Sequence, residues 1–530
     1  MNRREFVGTA AAASLLATLT NSAAPAAAAR AEETARAGSF DPEEQSLVEL
    51  AAALRSGAAT SASLTAAYLA RIEKLDRAGP SLNSVIATNP AALSIARELD
   101  AEFKAGRVRG PLHGLPLLIK DNIETSDPLP TTAGSLALAK AYHEVDAPLV
   151  ARLRAAGAVI LGKTNLSEWA NFRSAHSVSG WSGVGGQTLN PYATRFNPSG
   201  SSSGSAAAAA ASLCAAAVGT ETDGSILSPA AHCGLVGFKP TVGRVSGAGV
   251  VPLSPRQDTA GPLARSTLDA AALFEALAER GTDTAPTPAD LEAFRLAGLR
   301  IGVLAASPSA HPEAVRLWAE WYQPLKAEGA VLVEVDPPKT FTQMEDAEPI
   351  VLMWEFKAAI NDYLKRLAGR VEVQTLTDLI AFNRAHAAQE LAVFGQDIFE
   401  DADKLGPITS PAYRLARDHL MNLAGTAGLA TLFARHRVDV LVALGGGPAE
   451  PIDPVWGDRS DGGWPTIASA AAIAGYPSLT VPAGQVRALP VGVVFVAPRD
   501  HDAALLSVGH AYERATRARR PPTYAAAPGA

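Results

Sequence analysis

A lysine and two serine-bearing segments are the parts of this sequence best suited to chemistry. Lys120 ends an apolar run, Ser201 lies in the Gly/Ser segment 197–205, and Ser225 lies in the segment 219–226. A serine hydroxyl becomes a nucleophile when a neighbouring base removes its proton, and a buried lysine can be that base because burial favours the neutral amine. The three segments thus contain the residue types that nucleophilic catalysis requires.

Each segment also has an ordinary structural interpretation. A lone lysine at a strand end usually extends its charge into solvent, and a Gly/Ser stretch is typical of a flexible linker. The segment around Ser225 could be a polar loop between strands. An alanine-rich stretch follows the Gly/Ser segment directly, which favours a loop leading into a helix, a geometry that binds anions. No segment decides the function by itself.

The elements that must position these residues alternate between helix and strand. Two amphipathic helices are predicted at 46–55 and 61–75, before the alternation begins near residue 110. The alternation predicts an α/β fold with a mainly parallel or mixed sheet. The apolar runs interpreted as strands are 158–161, 299–304, 330–335, 438–444 and 491–496, and the later helices are 312–326 and 502–516.

The N-terminus has the features of an export signal. Arg3 and Arg4 precede a short apolar stretch, and small residues end it at Ala26–Ala29. Residues 1–29 are therefore predicted to be a Tat-like signal peptide, and the mature protein to be periplasmic or extracellular. An N-terminal membrane anchor is the alternative, but the apolar stretch is short for a span. Residues 30–42 are expected to be a disordered lead-in.

Charge and composition exclude several partner classes. The formal net charge is −7, and removal of residues 1–29 would make it −8. An acidic protein is poorly suited to phosphate backbones, so no nucleic-acid partner is expected. Cys214 and Cys233 are too few for a disulfide framework and are expected to be small buried apolar residues. No metal-ligand motif occurs, so neither a metal nor another cofactor is expected.

The order and spacing of the motifs resemble the amidase signature family. Lys120 precedes Ser201 by 81 residues and Ser201 precedes Ser225 by 24, and further similar stretches lie at 162–165, 258–262 and 475–482. The resemblance covers roughly residues 45–515. It implies one catalytic domain over 43–520, a single large α/β/α domain whose twisted mixed sheet is covered by helices on both faces.

The resemblance also implies the role of each site residue. Ser225 matches the nucleophile, Ser201 matches a serine that follows a cis peptide bond, and Lys120 matches the base. A proton would pass from Ser225 through Ser201 to the neutral lysine. The backbone N–H groups expected to form the oxyanion hole are those of Thr222, Asp223, Gly224 and Ser225.

Departures from the general family pattern narrow the expected substrate. Leu227 stands where most members have arginine, and Glu221, Asp223 and Gln257 resemble the peptide-amidase branch. The implied reaction converts a C-terminal peptide amide or amino-acid amide to free acid and ammonia. A broad aliphatic or aryl amidase of the same family is the alternative. The aromatic-bearing region 340–406 could cover the substrate site, and ordinary helix packing explains its aromatic residues equally well.

Three other interpretations are open at this stage. Residues 200–204 satisfy the G-x-S-x-G motif of α/β-hydrolases, which would make Ser202 the nucleophile. That motif needs a buried strand immediately before it, and residues 195–199 do not resemble one. An exported, non-catalytic solute-binding protein would also fit a signal peptide and an α/β pattern. A tRNA-dependent amidotransferase subunit belongs to the same family, but export and acidic charge argue against it.

Overall fold

The computed structural model describes residues 40–279, 285–307, 309–458 and 463–528. The predicted signal peptide, residues 1–29, lies outside the described residues, as does most of the predicted lead-in. Phe40, at the end of that lead-in, packs against the main hydrophobic core. At the other end the chain remains attached beyond residue 520, because the backbone N–H of Tyr524 donates to the carbonyl of Pro191 at 3.0 Å.

Thirteen strands occur in the described part of the chain. They are β1 (Val85–Thr88), β2 (Pro116–Lys120), β3 (Val159–Thr164), β4 (Trp181–Ser182), β5 (Gly186–Gln187), β6 (Ala216–Glu221), β7 (Val236–Lys239), β8 (Thr259–Ala264), β9 (Arg300–Leu304), β10 (Val331–Val335), β11 (Val440–Leu444), β12 (Ser478–Val486) and β13 (Leu489–Val496). Eleven of them form one sheet in the order β1-β3-β2-β6-β8-β7-β12-β13-β11-β9-β10, and β4 pairs with β5 separately.

The sheet is mixed. Strand β2 is parallel to β3 and to β6, and β9 is parallel to β10 and β11. The pairs β6–β8, β7–β12 and β12–β13 are antiparallel. Both parallel groups are thus joined through an antiparallel centre into one continuous sheet. The predicted α/β class with a large mixed sheet flanked by helices is confirmed.

The α-helices of the described residues flank this sheet. They are α1 (Leu47–Ser56), α2 (Ser61–Arg71), α3 (Ala92–Lys104), α4 (Pro148–Ala155), α5 (Ser203–Ala210), α6 (Leu227–His232), α7 (Thr267–Leu277), α8 (Pro288–Ala293), α9 (Pro312–Ala327), α10 (Thr340–Arg366), α11 (Leu376–Ala385), α12 (Ala387–Glu390), α13 (Asp397–Asp403), α14 (Pro411–Met421), α15 (Thr431–His436), α16 (Thr466–Ala474) and α17 (Asp502–Thr516). None of the described helices is long and apolar enough to cross a membrane.

Local sequence explains where the first helix begins and ends. The Ser46 side chain accepts from the Glu49 backbone N–H while Glu49 accepts from the Ser46 backbone, which forms a capping box. Gly57 then ends α1 in the left-handed conformation with φ of 74°. The helix α2 continues as a π-helical turn over Ile72–Arg77, so the periodic pattern of 61–75 spans both elements.

Of the four hydrophobic clusters of described residues, three are large. The largest contains buried residues of β2, β3 and β6 together with helices α2, α5, α7 and α17. A second packs α10, α14 and α16 against β11 and β13, and a third joins residues 133–141 to α10, α11 and α13. Cys214 and Cys233 are buried and unpaired within the largest cluster, as their interpretation as small apolar residues predicts.

Candidate active site

The carboxyl ends of two neighbouring parallel strands bring the first site residues together. Lys120 is the last residue of β2, and Glu221 is the last residue of β6. In the ladder between these strands Ile119 pairs with Val218. Because parallel strands end at the same edge of a sheet, the segments that follow β2 and β6 meet there, and the Gly/Ser segment before α5 joins them.

The Lys120 amino group is fully buried among hydroxyl and carbonyl oxygens. Its Nζ donates to Ser201 Oγ at 2.8 Å, to Ser202 Oγ at 3.0 Å and to Thr220 Oγ1 at 3.0 Å. The Thr220 carbonyl oxygen lies 3.3 Å away. No carboxylate of the described chain lies within 4.0 Å of this nitrogen as an ion-pair partner. The lysine is therefore surrounded by neutral partners.

Burial favours the neutral form of Lys120 near neutral pH. Desolvation lowers the pKa of its ammonium group to about 7, while the more distant carboxylates of Glu221 and Asp258 act in the opposite direction. Near that pH a substantial fraction of the lysine is a neutral amine with a free lone pair. It can then accept the proton of Ser201 Oγ, because the 2.8 Å between Lys120 Nζ and Ser201 Oγ also suits a hydrogen bond that the hydroxyl donates to the neutral amine.

The Gly/Ser segment is a rigid turn and not a linker. The peptide bond between Gly200 and Ser201 is cis, and the Ser201 carbonyl accepts from the Ser167 backbone N–H at 3.1 Å. Ser202 Oγ donates to the Thr220 carbonyl at 3.0 Å. Ser203 then begins α5, and Ser201 and Ser202 are fully buried. The linker interpretation of this segment is thus wrong.

Ser225 lies in the turn between β6 and α6. The Ser202 backbone N–H donates to the Ser225 carbonyl at 3.2 Å, which joins this turn to the Gly/Ser segment. Glu221 Oε2 accepts from the backbone N–H groups of Ile226 at 2.7 Å and Leu227 at 3.0 Å. A buried carboxylate thereby anchors the turn. Ser225 itself is buried but retains 7% exposure.

The same turn presents free backbone donors. Gly224 has φ of 74°, which only glycine adopts readily, and the bend turns the backbone around it. Within the described chain no acceptor is hydrogen-bonded to the backbone N–H of Asp223, Gly224 or Ser225. Buried N–H groups are nearly always paired in folded proteins. Successive N–H groups that remain available can therefore bind the oxygen of a substrate carbonyl.

A cavity of about 270 Å³ opens beside these groups. Gly200, Asp223, Gly224 and Trp464 are among the residues that line it. The remaining described lining residues are Asn171, Ser179, Asn197, Ser199, Ser228, His232, Gly446, Gly447, Pro448, Glu450 and Asp458. The lining combines polar side chains with apolar surface, and it includes Gly224, the residue before Ser225 in the chain.

The aromatic residues of 340–406 do not form the cavity wall. Phe356 and Tyr363 are buried in the cluster around α10 and α13, and Phe394 packs on Trp181 with ring centroids 5.1 Å apart. None of the aromatic residues of this region lines the cavity in the described chain. Ordinary helix packing is therefore the better interpretation of these side chains.

The α/β-hydrolase interpretation is not supported by the geometry. The segment before residue 200 contains turns and no strand. Ser202 Oγ is hydrogen-bonded to Lys120 and to the Thr220 backbone, and no described histidine is hydrogen-bonded to Ser201, Ser202 or Ser225. Burial also lowers the pKa of His232, the histidine that lines the cavity, to about 4. A Ser-His-acid triad is thus absent from the described residues.

Sequence reasoning missed several residues that hold the site. Asn122 Nδ2 donates to Thr220 Oγ1 at 2.9 Å, and Thr222 Oγ1 donates to Asp258 Oδ1 at 2.6 Å. Thr220 and Asp258 lie inside the motifs that carry the family resemblance, so their positions could have suggested contacts. Glu348 and Trp464 lie in segments without any motif, and only the tertiary structure brings them to the site.

The described residues contain no group of three or more His, Cys, Asp or Glu side chains that could hold a metal ion. The site assembled here consists of serine hydroxyls, one amine and backbone N–H groups. These are the groups needed for acyl transfer to a serine.

Comparison with known proteins identifies the family to which this chain belongs. A family model described as Amidase matches residues 63–506. The chain is 47% identical to the native peptide amidase of Stenotrophomonas maltophilia, with a TM-score of 0.83 over 91% of this chain and 99% of that one. A structure of a peptide amidase with the competitive inhibitor chymostatin gives 47% identity and a TM-score of 0.84, covering 91% and 100%. A probable amidase of Arabidopsis thaliana is 36% identical over 92% of this chain and 93% of its own length.

Proposed function

The chain belongs to the amidase family, and from this premise we propose that it is an exported hydrolase that converts C-terminal peptide amides or amino-acid amides to the free acid and ammonia. Amide hydrolysis follows from the family and from the peptide amidases it resembles. The peptide-amide substrate, the roles of the individual residues and export are inferred here.

One observation carries the mechanism. The buried Lys120 Nζ lies 2.8 Å from Ser201 Oγ, and the backbone of the next residue is hydrogen-bonded to Ser225. A base, a relay hydroxyl and a candidate nucleophile thus follow one another from the core towards the cavity. Other nearby hydroxyls are less suited to this role. Ser202 Oγ is hydrogen-bonded to Lys120 and to the Thr220 backbone, and Thr220 Oγ1 accepts from Lys120 and Asn122.

Acylation begins when neutral Lys120 accepts the proton of Ser201 Oγ. Ser201 Oγ takes the proton of Ser225 Oγ, and the Ser225 oxygen forms a bond to the amide carbon. The carbonyl oxygen becomes an oxyanion facing the N–H groups of residues 222–225, where one donor typically contributes about 3–4 kcal/mol to the transition state. These N–H groups stabilise the charge where it develops.

Collapse of this intermediate breaks the carbon–nitrogen bond. Ser201 donates its proton to the departing nitrogen and regains one from Lys120, and ammonia leaves. Water then attacks the acyl-serine ester, and its proton passes along the same hydroxyls to Lys120. When the ester C–O bond breaks, Lys120 returns this proton through Ser201 to Ser225 Oγ, and the free acid is released. The lysine ends the cycle neutral, so no external proton donor is consumed.

The similarity to peptide amidases supports the peptide-amide substrate. The peptide amidase structures match 91% of this chain at 47% identity, and one of them binds chymostatin as a competitive inhibitor. The cavity lining also includes the Asp223 carboxyl and the glycines Gly200 and Gly224. A broad aliphatic or aryl amidase would not need such a lining, because simple amides carry no further polar group near the reacting carbonyl.

Ammonia release by the mature protein tests the substrate. Amidated dipeptides are expected to have higher kcat/KM than acetamide or benzamide, with internal peptide bonds left intact. Equal rates on the simple amides would favour the broad amidase. A protein that released no ammonia and resisted a serine-directed inhibitor would instead match the solute-binding alternative.

Export is tested separately, because the predicted signal lies outside the described residues. N-terminal sequencing of secreted protein is expected to find a start near residue 30. Replacement of Arg3 and Arg4 by lysine is expected to block secretion through the Tat route. Unchanged secretion of that variant would contradict the Tat assignment, and a mature protein beginning at Met1 would contradict the signal itself.

A further inference from the structure

Two carboxyl groups meet beside the nucleophile turn, and the mechanism above uses neither of them. Asp223 comes from the turn after β6 and lines the cavity, and Glu348 is a buried residue of α10. The two carboxyl groups are near enough to shift each other's pKa, and each is desolvated by burial. The Oδ1 atom of Asp223 is buried and has no N–H or O–H partner in the described chain. Two charged carboxylates would repel each other at such a contact, so the pair needs a shared proton.

Gln257 identifies the carboxyl that holds this proton. Arg256, which can only donate, donates to Gln257 Oε1 at 2.9 Å and so fixes the orientation of the amide. Gln257 Nε2 then donates to Glu348 Oε1 at 2.8 Å. One oxygen of Glu348 is thereby an acceptor, and the other is left to carry the proton towards Asp223. Burial and the neighbouring Asp223 raise the pKa of Glu348 well above its usual range, which agrees with a protonated acid.

The pair therefore presents one negative charge to the substrate. Glu348 is buried, whereas Asp223 is partly exposed and lines the cavity next to Gly224, two residues before Ser225. A carboxylate only accepts hydrogen bonds, so a bound substrate must offer it an N–H or O–H group. A carboxylate so near the reacting carbonyl can be reached only by a group attached close to that carbonyl.

We propose that Asp223, held by protonated Glu348, is a specificity residue that accepts a hydrogen bond from the N–H on the α-carbon of the substrate. Amino-acid amides and peptide amides carry this N–H, as an ammonium or as a peptide group. Simple aliphatic amides lack it and would leave the carboxylate unpaired in the closed site. This inference rests on the proposed function and names the chemical feature by which the site selects its substrates.

Matched substrates test the contact in the wild-type enzyme. N-acetyl-leucinamide is compared with its analogue in which oxygen replaces the α-N–H, and leucinamide with 4-methylpentanamide, its counterpart without the amino group. A hydrogen bond to a charged acceptor predicts kcat/KM values about 10- to 100-fold higher for the compound with the N–H in each pair. Equal kcat/KM within both pairs would overturn the inference while leaving peptide-amide hydrolysis intact. Failure to hydrolyse any compound with an α-N–H, alongside turnover of simple amides, would instead overturn the proposed function.

Variants then assign the contact to the carboxyl pair. Asp223→Ala is expected to reduce the selectivity ratio to near one, because the acceptor is removed. Glu348→Gln keeps a neutral donor of the same shape and is expected to retain the ratio, whereas Glu348→Ala is expected to lose it. Retention of the ratio in Asp223→Ala would place the contact elsewhere. A Glu348→Gln variant as unselective as Glu348→Ala would show that a proton on residue 348 is not what holds Asp223. The wild-type comparison stands even if a variant fails to fold.

Discussion

Two buried lysines at the same edge of the sheet have opposite environments. Lys120 ends β2, and Lys163 lies next to the end of β3, its parallel neighbour. Lys163 Nζ donates to the Ile123 carbonyl at 2.6 Å and lies 3.5 Å from Asp121 Oδ1. Lys120 contacts three hydroxyls and a carbonyl instead. Burial lowers the pKa of both ammonium groups. Of the two, only Lys163 has an adjacent carboxylate, that of Asp121, which opposes this shift and favours the charged form.

The register of the two strands explains the difference. Ile119 pairs with Lys163, and Lys120 pairs with Thr164. Since successive side chains of a strand point to opposite faces of the sheet, the two lysines occupy opposite faces. Lys120 meets the Gly/Ser segment on its face, and Lys163 meets Asp121 and residues 123–131 on the other. The groups on each face of the sheet, and not residue type or burial, give the two lysines their different surroundings: hydroxyls beside Lys120 and a carboxylate beside Lys163.

The largest loss of activity is expected when Ser225, the proposed nucleophile on the same face of the sheet as Lys120, is replaced. Ser225→Ala is expected to abolish ammonia release and covalent labelling by a serine-directed inhibitor, because no other group is placed to form the acyl-enzyme. Ser202→Ala is the matched control and is expected to remain labelled. Labelling of Ser225→Ala would contradict the assignment and direct attention to Ser201.

The next largest loss of activity is expected when Ser201, the proposed proton relay, is replaced. Ser201→Ala keeps the nucleophile but separates it from the base, so kcat is expected to fall about 10²- to 10⁴-fold. Circular dichroism of the variant should match the wild type, because the side chain is small. Activity close to that of the wild type would show that Ser225 loses its proton by another route.

Lys120→Ala is expected to cause a loss of similar size, about 10²- to 10⁴-fold in kcat. The loss should be greatest near neutral pH, where the lysine is the base best matched to the reaction. Hydroxide replaces the base at higher pH, so the profile of the variant should keep rising there. Near-wild-type activity of this variant at neutral pH would refute the Ser–Ser–Lys mechanism even if the protein is an amidase.

The wild-type pH profile gives a smaller effect that separates the two lysines without mutation. The active form of Lys120 is the neutral amine, so kcat/KM should rise with pH through about 7 and level off above it. Below that pH the activity should fall about tenfold for each unit, as the fraction of neutral amine falls. A profile that rises only near pH 10 would mean that Lys120 keeps the pKa of an exposed lysine.

The smallest effect on activity is expected on the Lys163 side. Lys163→Met leaves the Asp121 carboxylate buried without its cation, which typically costs about 3–5 kcal/mol of stability. The melting temperature should therefore fall, while kcat at low temperature should stay within a few-fold of the wild-type value. Lys163→Met combined with Asp121→Asn should recover part of the stability. A kcat loss in Lys163→Met as large as that of Lys120→Ala would remove the distinction between the two lysines.

Motif order and spacing were sufficient to predict the family, the fold class and the residues that meet at the site. The segments of Lys120, Ser201 and Ser225 are recognisable because each needs unusual local sequence: an apolar strand with a lysine at its end, and turns built from glycine and serine. The helix and strand pattern was also readable, since the predicted helix 502–516 coincides with α17. Such features depend on residues close together in the chain.

The residues that surround the proposed catalytic groups, such as Glu348, could not be predicted from local sequence. Glu348 reaches Asp223 across 125 positions of sequence, and in a helical pattern a glutamate at that place is typical of an exposed face. Of the two interpretations of region 340–406, helix packing explains its aromatic residues, and the region also supplies the buried carboxyl of Glu348 beside Gln257. Nothing local distinguishes a buried, proton-sharing glutamate from a solvated one, because its state depends on the groups that the fold places around it.

The sequence by itself therefore determined which groups are available for chemistry and in which strands and turns they lie. The tertiary structure decided which of them are reactive. Lys120 and Lys163 both follow apolar strand residues, yet one faces hydroxyls and the other a carboxylate. The physical reason is that a pKa depends on desolvation and on the charges within a few ångströms, and both are set by packing between segments far apart in the chain.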